Sequence, residues 1–495
     1  MVLLNVNRES STPIFRQIIN QMVDLIDQDV LKKDTVLPPS REMAEKLGLD
    51  RSTVYRAYQE LIAMGFIDST PGSYSRVRGR PAVVTPERKS DRSLIDWSAK
   101  SSESGNSLYR YFEDFATERS MPIPPGTINL SPLSLDPRVY PVEDFRRCLN
   151  QVLVNEGAPI LSYGNDVGYL PLREYIAGRM KIHGVSIYPD EILITNGAQQ
   201  AIDLVLHLFS KPGARVAIET PTYANVIPSI RGHQMQILEI PMNSDGMNLD
   251  YLRQHLKTDP PDFVYTIPNF HNPTGITTSQ KHRETLLHLC EDYRIPIVED
   301  GFEEELKYFG KVVLPIKSMD KNQIVIYLGS FSKILFPGIR VGWIAADKEC
   351  IRRLTAVKRF NDLTSSTLIQ AALNAFCRQG YYDLHIKRMY RIFRKRMRTA
   401  LDAMEKNFPE GVIWTKPDGG YTIWVRLEKN FENEEDFYRL LLKNRVLVSP
   451  GRYYFYSKNP QKYFRISISS LSDDEIEEGI IRLGRVLTEL RRVSG

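Results

Sequence analysis

The sequence has few cysteines, no long apolar run and almost no excess of charge of one sign. Its four cysteines lie far apart with no CxxC pair, which argues against a disulfide framework or a zinc site, so we predict no metal. No apolar run approaches the ~18 residues that span a membrane. The first residues, MVLLNVNRESSTP, also lack the pattern of a signal peptide. These absences predict a cytoplasmic protein without a membrane partner.

Charge alone does not predict a nucleic-acid partner. The 495 residues include 65 Lys and Arg against 60 Asp and Glu, a net charge of +5. Residues 1–80 are nearly balanced, so contact with DNA must come from the local placement of charge. The length suggests about three domains at roughly 150 residues each.

Three zones differ in their sequence texture. Residues 1–78 show short helical patterns and then a hairpin pattern, and residues 79–125 are rich in Arg, Ser, Pro and Glu, which is typical of a linker. A helical pattern lies near 108–117 within this linker. From 126 to 495, strand-like runs alternate with amphipathic helical stretches, which predicts an α/β domain with a mostly parallel sheet. We expect a large subdomain at about 166–390 and a smaller α+β subdomain from about 126–165 and 391–495.

The stretch LPPSREMAEKLGLDRSTVYRAYQELIAMGFI predicts a helix-turn-helix. Ser40 and Asp50 are expected to cap its two helices, and Gly48 lies in the turn between them. The second helix has a buried stripe and a polar face, and FIDSTPGSYSRV predicts a two-stranded wing around Gly72. A small helical domain with a solvated polar face is the alternative interpretation.

This stretch resembles the winged helix of the GntR family of bacterial regulators, in PIFRQI, LPPSRE, MAEKLGL and RSTVYRAYQEL. The resemblance implies binding to a double-stranded DNA operator. The residues it places at DNA are Arg41, Arg51, Ser52, Thr53, Arg56 and Gly72. Asp50 departs from the serine that the family often has, and it places a carboxylate near the phosphates. The wing has Gly-Ser where Gly-x-Gly is usual.

Five apolar runs of the large domain each end in a polar or aromatic group. The runs are EILIT, RVAIE, DFVYTIP, IPIVE and QIVIYLGS. The groups that follow them are, in the same order, Ala198 with Gln199, Tyr223, Asn272, Asp300 and Lys333. Because ligands of open parallel sheets bind beyond the carboxyl ends of the strands, these groups are expected to meet. Each of them alone could be a turn, a cap, a core residue or a surface lysine.

Pyridoxal phosphate is the cofactor whose chemistry uses all five groups. Its aldehyde needs an amine, for which Lys333 is the candidate catalytic residue. Its ring nitrogen needs a carboxylate, for which Asp300 is suited. Asn272 could donate to the phenolic oxygen, and Tyr223 could cover the ring. The phosphate requires amides, hydroxyls and a cation. The candidates are the Ala198 and Gln199 amides, Ser330, Ser332 and Arg340.

Residues 127–490 resemble a fold-type I aminotransferase, similar to aspartate aminotransferase, in TNGAQQAIDL, ETPTY, HNPTG, VED and SFSKILFPGIRVGW. By this resemblance Tyr163 reaches the cofactor phosphate of the neighbouring subunit, and Arg465 binds a substrate or effector carboxylate. A winged helix fused to such a domain resembles the MocR subfamily of GntR regulators. Phe302 stands where the family commonly has a tyrosine, and Asn225 where it often has an arginine.

Three functions are compatible with these patterns. The first is a homodimeric transcription regulator that senses an amino compound or the cofactor, with a linker long enough for a domain-swapped dimer. The second is a working aminotransferase with an accessory DNA-binding domain. The third is a regulator whose large domain only dimerises. The joint presence of Lys333, Asp300 and Arg340 argues against the third, and Phe302 weakly favours the first over the second.

Overall fold

The structure is a computed structural model that describes most of the chain. The described residues are 4–69, 74–78, 94–120, 123–301, 305–428, 434–457 and 462–493, without the side chains of 115–120, 434, 492 and 493. The chain divides into two compact units, Met1–Lys100 and Ser101–Gly495. No helix in the described ranges is long and apolar enough to cross a membrane.

The first unit is a small helical domain with a two-stranded sheet. Its helices are α1 (Ile14–Asp27), α2 (Ser40–Leu47), α3 (Arg51–Ala63) and α4 (Trp97–Lys100). Its strands, β1 (Ile67–Asp68) and β2 (Arg76–Val77), pair antiparallel as the predicted wing requires. The apolar stripes of α1, α2 and α3 meet in one core, in which Ile18, Val54 and Leu61 are fully buried. This core fixes the polar face of α3 outward.

The turn between α2 and α3 follows the sequence prediction with one exception. Gly48 has φ of +61°, a left-handed conformation that glycine adopts without strain. Asp50 caps α3 by accepting a hydrogen bond from the Ser52 amide. Ser40 does not cap α2, because it is the first residue of the helix and Pro39 occupies the cap position without a side-chain hydrogen bond. The prediction for Ser40 was therefore wrong by one position.

The second unit contains the remaining helices and strands. Its helices are α5 (Glu103–Ser120), α6 (Val142–Glu156), α7 (Leu170–Ile182), α8 (Ala198–Phe209), α9 (Val226–Gly232), α10 (Leu249–Thr258), α11 (Gln280–Tyr293), α12 (Lys348–Asp362), α13 (Thr367–Arg378), α14 (Tyr381–Asn407), α15 (Glu434–Lys443) and α16 (Asp473–Val493). Its strands are β3 (Ile128–Asn129), β4 (Ile192–Thr195), β5 (Arg215–Thr220), β6 (Gln236–Asn243), β7 (Gly246–Met247), β8 (Phe263–Thr266), β9 (Ile297–Asp300), β10 (Val325–Ser330), β11 (Gly342–Ala345), β12 (Val412–Trp414), β13 (Thr422–Leu427), β14 (Val446–Leu447), β15 (Ser449–Pro450) and β16 (Tyr463–Ser467).

The large sheet has eight strands in the order β4-β11-β10-β9-β8-β5-β6-β7. Its central neighbours β10, β9, β8, β5 and β6 are parallel, whereas β11 runs antiparallel to both β10 and β4. The five apolar runs of the sequence are β4, β5, β8, β9 and β10. Their carboxyl ends therefore lie at one edge of the sheet, and the predicted α/β class with a mostly parallel sheet is confirmed.

A smaller sheet, in the order β12-β13-β16-β15, belongs to the second subdomain. Its strands are antiparallel, and α14 and α16 pack against each other beside them. Arg465 lies on β16 opposite Trp424 of β13. This sheet thus carries the predicted effector-binding arginine toward the large sheet.

The predicted linker contains a helix, α5, that belongs to the second unit and packs on α9. In α5, Ser104 donates a hydrogen bond to the Gly232 carbonyl at the end of α9, and the Leu108 side chain lies over Gly232. Tyr111 lies under the Arg231 guanidinium. The limits of 79–125 for the linker and of the two subdomains stay predictions.

Candidate functional site

A pocket of about 590 Å³ lies at the carboxyl edge of the large sheet. Nine of its ten lining residues are ones that the sequence singled out. The lining residues are Leu133, Ala198, Gln199, Tyr223, Asn272, Asp300, Ser330, Ser332, Lys333 and Arg340. The fold thus brings together groups that lie up to about 200 positions apart in the chain.

One end of the pocket is built to hold an anion. The helix α8 begins directly after Gly197, whose φ is +81° and whose missing side chain leaves room for Arg340. A Cβ at Gly197 would lie 2.9 Å from Arg340 Nη2. Ser332 Oγ is buried and has no hydrogen-bond partner among the described residues, whereas Ser330 Oγ accepts from the Ser332 amide at 3.1 Å. Helix amides, hydroxyls and a guanidinium are the groups that bind phosphate.

The pocket wall also carries a buried carboxylate. Asp300 is 4% exposed, and its Oδ2 accepts a 2.7 Å hydrogen bond from the Tyr265 hydroxyl. Burial, together with this carboxylate, raises the pKa of Tyr265 well above its ordinary value, so Tyr265 stays a donor. The sequence analysis missed Tyr265, although a tyrosine within the apolar run DFVYTIP was a signal for a buried polar contact.

Tyr223 contributes a half-buried phenol to the pocket wall. Burial is the main cause that raises the pKa of Tyr223 to about 12, and the Asp300 carboxylate adds to it. The hydroxyl accepts from Asn225 Nδ2 at 3.0 Å and donates to Gln199 Oε1 at 3.4 Å. The ring therefore stays neutral and fixed, as a group that covers a flat cofactor should be.

Lys333 reaches the pocket from the loop after β10. Its Nζ donates to the Leu133 carbonyl at 2.6 Å, and its own carbonyl accepts from the Tyr421 hydroxyl at 2.7 Å. The sequence analysis missed both partners. Leu133 belongs to NLSPLSLDP, a loop with no strand or helix pattern that could have placed it here. These contacts fix the amine in the wall of the pocket that Asp300 and Arg340 also line.

Arg465 lies one hydrogen bond away from the pocket. It is 6% exposed, and its Nη1 donates to Asn272 Oδ1 at 2.9 Å while its Nη2 donates to the Ser131 carbonyl at 2.5 Å. The Tyr454 ring supports the guanidinium, with 5.3 Å from Cζ to the ring centroid. Its Nε has no hydrogen-bond partner within the described part of the chain. Its predicted role is to bind the carboxylate of a substrate or effector.

Of two further residues predicted for the cofactor region, one lies outside this pocket and the other is not among the described residues. Tyr163 is 84% exposed and lines a separate groove with residues 364–368. It therefore does not reach the pocket of its own chain, and its predicted contact with a neighbouring subunit stays a prediction. Phe302 lies outside the described residues.

The predicted DNA-binding residues lie mainly on or beside α3. Arg41 and Arg51 are exposed, and Arg51 is the first residue of α3. Arg56 is exposed too, but its guanidinium stacks on Phe15, 3.9 Å from the ring centroid.

The hydroxyl groups are less available than the sequence suggested. The Ser52 hydroxyl donates to the Asp50 carboxylate, and Thr53 is half-buried. Gly72 lies outside the described residues. Arg41 and Arg51 are thus the predicted side chains most free to meet a phosphate or a base.

The pocket fits pyridoxal phosphate. The space left by Gly197 and the buried Ser332 hydroxyl suit the phosphate, Asp300 suits the ring nitrogen, and Lys333 lines the same pocket. Pyridoxal phosphate is accordingly the cofactor. Fold and pocket together define a pyridoxal-phosphate-binding domain of the aminotransferase type.

Two family models match the chain. Residues 133–483 match aminotransferase class I and II, and residues 15–77 match the bacterial regulatory proteins of the GntR family. The chain belongs to the aminotransferase class I and II family and joins this domain to a GntR helix-turn-helix, which is the arrangement of the MocR-type regulators.

Relatives share this arrangement over nearly their full length. The uncharacterized HTH-type transcriptional regulator YisV of Bacillus subtilis is 32% identical over 475 residues, 96% of this chain and 96% of YisV. The probable rhizopine catabolism regulatory protein MocR of Rhizobium meliloti is 26% identical over 480 residues, 97% of this chain and 94% of MocR.

A solved structure shares the second unit. The α-aminoadipate aminotransferase LysN of Thermus thermophilus, complexed with N-(5'-phosphopyridoxyl)-L-leucine, superposes with a TM-score of 0.73 at 30% identity. The match covers 81% of this chain and 100% of that one. The ligand in LysN carries the same phosphopyridoxyl group for which the present pocket is suited.

Proposed function

We propose that the protein is a DNA-binding transcription regulator whose pyridoxal phosphate domain senses an amino compound or the cofactor itself. The observation that carries the proposal is the presence in one chain of an outward-facing α3 and a pocket lined by Lys333, Asp300 and Arg340. A domain that only held two subunits together would not need a buried carboxylate at Asp300 or a buried Ser332 hydroxyl without a partner among the described residues. It would also not need a glycine at 197 to leave room for Arg340. The regulators YisV and MocR match both parts.

The pocket supports an amine with a carboxylate as the effector. When bound, pyridoxal phosphate supplies an aldehyde with which primary amines react reversibly. Arg465 would bind the effector's carboxylate through Nε, with Asn272 and Ser131 fixing the guanidinium plane. The only cations that line the described pocket are Lys333 and Arg340, both assigned to the cofactor. The site therefore suits an effector with one carboxylate better than an effector with two.

The same proposal includes a homodimer in the cytoplasm. The exposed Tyr163 would reach the phosphate of the neighbouring subunit, and the predicted linker would permit a domain-swapped arrangement. Two recognition helices would then read two half-sites of an operator. An effector could alter operator binding only if it binds two arrangements of the dimer with different affinity.

A second candidate is a working aminotransferase. The complete set of Lys333, Asp300 and Arg340 favours it, because the set is as well suited to catalysis as to sensing. The DNA-binding unit would then be accessory. Turnover of amino and keto acids without any change in DNA binding would distinguish this function from the first.

The experiment that tests the DNA assignment replaces Arg51 by Gln in the full chain. We expect weaker binding to a duplex that the wild-type protein selects from a random-sequence pool. If Arg51 contacts a phosphate, the slope of log affinity against log salt falls by about one unit, and if it contacts a base, affinity falls by about 1–3 kcal/mol and specificity relaxes. Lys33→Gln, at another exposed cation of the first unit, serves as the control. Unchanged binding by Arg51→Gln would refute the assignment of α3.

A further inference from the structure

The helix α14 carries a long run of positive charge that the cofactor pocket does not use. Residues 387–398, KRMYRIFRKRMR, contain seven Lys and Arg and no acidic residue. The whole chain has a net charge of only +5, so this short segment exceeds it. Two of the seven cations have structural partners, since Lys395 pairs with Asp473 and Arg396 with Asp136.

The other five cations form an exposed surface, which we name the α14 basic stripe. It consists of Lys387, Arg388, Arg391, Arg394 and Arg398. Spacings of four, three and four residues from 387 to 398 place four of the five on one face of the helix. No carboxylate of the described residues is within ion-pair distance of any of the five.

This arrangement is unusual for a face that only meets water. Like charges three and four residues apart destabilise a helix, and solvated helices usually mix the two signs. The opposite face of α14 is apolar and holds the helix in place, with Met389, Phe393 and Met397 fully buried. The packing of this apolar face therefore stabilises α14 despite the repulsion between the positive charges of the stripe.

The spacing of the stripe suits a phosphate backbone. At 1.5 Å per residue, the stripe is about 16 Å long, and duplex DNA presents one phosphate per roughly 3.4 Å of axis on each strand. Four of the five cations are arginines, whose planar guanidinium groups bind phosphate oxygens in pairs. Arg394 lies over Tyr390 and Phe309, 5.9 and 5.7 Å from the ring centroids, which restricts its motion.

We propose that the α14 basic stripe is a second DNA-binding surface, which contacts the phosphate backbone of duplex DNA without reading its sequence. This inference rests on the proposed regulator function, because the helix-turn-helix unit of the same chain would hold the duplex. Once the helix-turn-helix unit has bound the duplex, contact between the stripe and the same duplex is intramolecular. The effective concentration of DNA near the stripe is then high, so even weak electrostatic contacts can form. The stripe would extend the contacted DNA beyond the base pairs that α3 reads.

The test compares two triple variants of the full chain. Lys387→Gln/Arg391→Gln/Arg398→Gln removes three stripe charges and keeps good helix formers. The control Lys257→Gln/Lys281→Gln/Lys321→Gln removes three equally exposed and unpaired charges elsewhere on the described surface. A conservative variant, Arg391→Lys/Arg398→Lys, keeps the charge. The visible spectrum of the bound cofactor reports whether each variant is folded.

The measurement is the salt dependence of binding to two duplexes that carry the same selected site. One duplex contains only the base pairs that the wild-type protein protects at the site. The other extends well beyond these base pairs on both sides. Each lost phosphate contact removes about 0.9 from the slope of log affinity against log salt, so the stripe variant should lose about two to three units on the long duplex only. The control and the lysine variant should keep the wild-type slope.

Two results would overturn the inference while leaving α3 as the DNA reader. One is equal slopes for the stripe and control variants on the long duplex. The other is unchanged DNA binding combined with lost binding to phosphatidylserine vesicles, which would assign the stripe to a membrane surface. A wild-type protein that binds neither duplex would refute the regulator function and the stripe together.

Discussion

At the scale of single residues, the pocket depends on long-range partners that fix each reactive group. Lys333 is held by the carbonyl of Leu133, Asp300 by the hydroxyl of Tyr265, and Arg465 by Asn272 and Ser131. Each contact is between residues on different strands or loops. The reactive side chains are thus positioned before any ligand arrives.

The first residue-scale prediction concerns Lys333. Wild-type protein should be yellow, and borohydride should fix the cofactor covalently to Lys333, because this amine is the one that lines the pocket. Lys333→Ala should yield no such linkage, whereas Lys321→Ala, at an exposed lysine, should behave as wild type. Mass spectrometry of peptides after reduction makes the measurement. A cofactor fixed to another residue in the Lys333→Ala protein would contradict the assignment.

The second residue-scale prediction concerns Tyr265. Tyr265→Phe removes the 2.7 Å hydrogen bond to Asp300 and leaves a buried carboxylate oxygen without this donor. Losing a hydrogen bond to a charged group costs about 1.5–3 kcal/mol. Because the bond is also present without cofactor, cofactor affinity should fall by at most about 10- to 150-fold, and by less if both states lose it equally. Titration of the apoprotein with pyridoxal phosphate measures it. Tyr293→Phe, at a tyrosine away from the pocket, is the control, and equal affinity in both variants would show that the Tyr265 hydrogen bond does not favour the cofactor-bound state.

At the scale of elements, the sequence predicted the residues at the strand ends but not the distant residues that contact them. The apolar runs and the Gly, Ser and Pro residues that follow them are local signals, so the sequence located β4, β5, β8, β9 and β10 and the residues at their carboxyl ends. The contact of Leu133 with Lys333 spans 200 positions and that of Ser131 with Arg465 spans 334. No periodicity encodes such contacts, because packing of the two subdomains determines them.

The element-scale prediction concerns the cap of α3. Asp50 accepts from the Ser52 amide and hydroxyl, and these hydrogen bonds lower the pKa of the Asp50 carboxyl. A lowered pKa in the folded state adds stability above the unfolded-state pKa, which is lost as pH falls through the folded-state value. Asp50→Ser keeps a good cap but lacks this pH dependence. It also removes a negative charge beside the end of α3 that we propose contacts DNA.

We therefore expect Asp50→Ser to bind DNA more tightly than wild type, with a larger gain at low salt. Its stability should be close to that of wild type at pH 7. Asp50→Ala removes the charge and the cap together, and it should lower the melting temperature of the first unit. Weaker DNA binding by a normally folded Asp50→Ser protein would contradict this electrostatic account.

At the scale of the whole molecule, a helix-turn-helix unit and a cofactor domain are joined in one chain. The sequence predicted both, because each has dense local motifs. It did not indicate that Ser104, Leu108 and Tyr111 of the predicted linker pack on α9, since helix-on-helix contact depends on the fold of the second unit. The other end of α9 begins three residues after Tyr223, which lines the pocket.

The most direct test of the account measures operator affinity of the wild-type protein, with pyridoxal phosphate bound, across a panel of amino compounds. The account predicts that at least one monocarboxylate amino compound changes the affinity, with a coupling of about 5- to 150-fold. Arg465→Ala should lose this response and keep the yellow colour and basal DNA binding. No change in affinity with any compound, together with transamination at about 1–1,000 per second, would contradict the account and establish an enzyme instead.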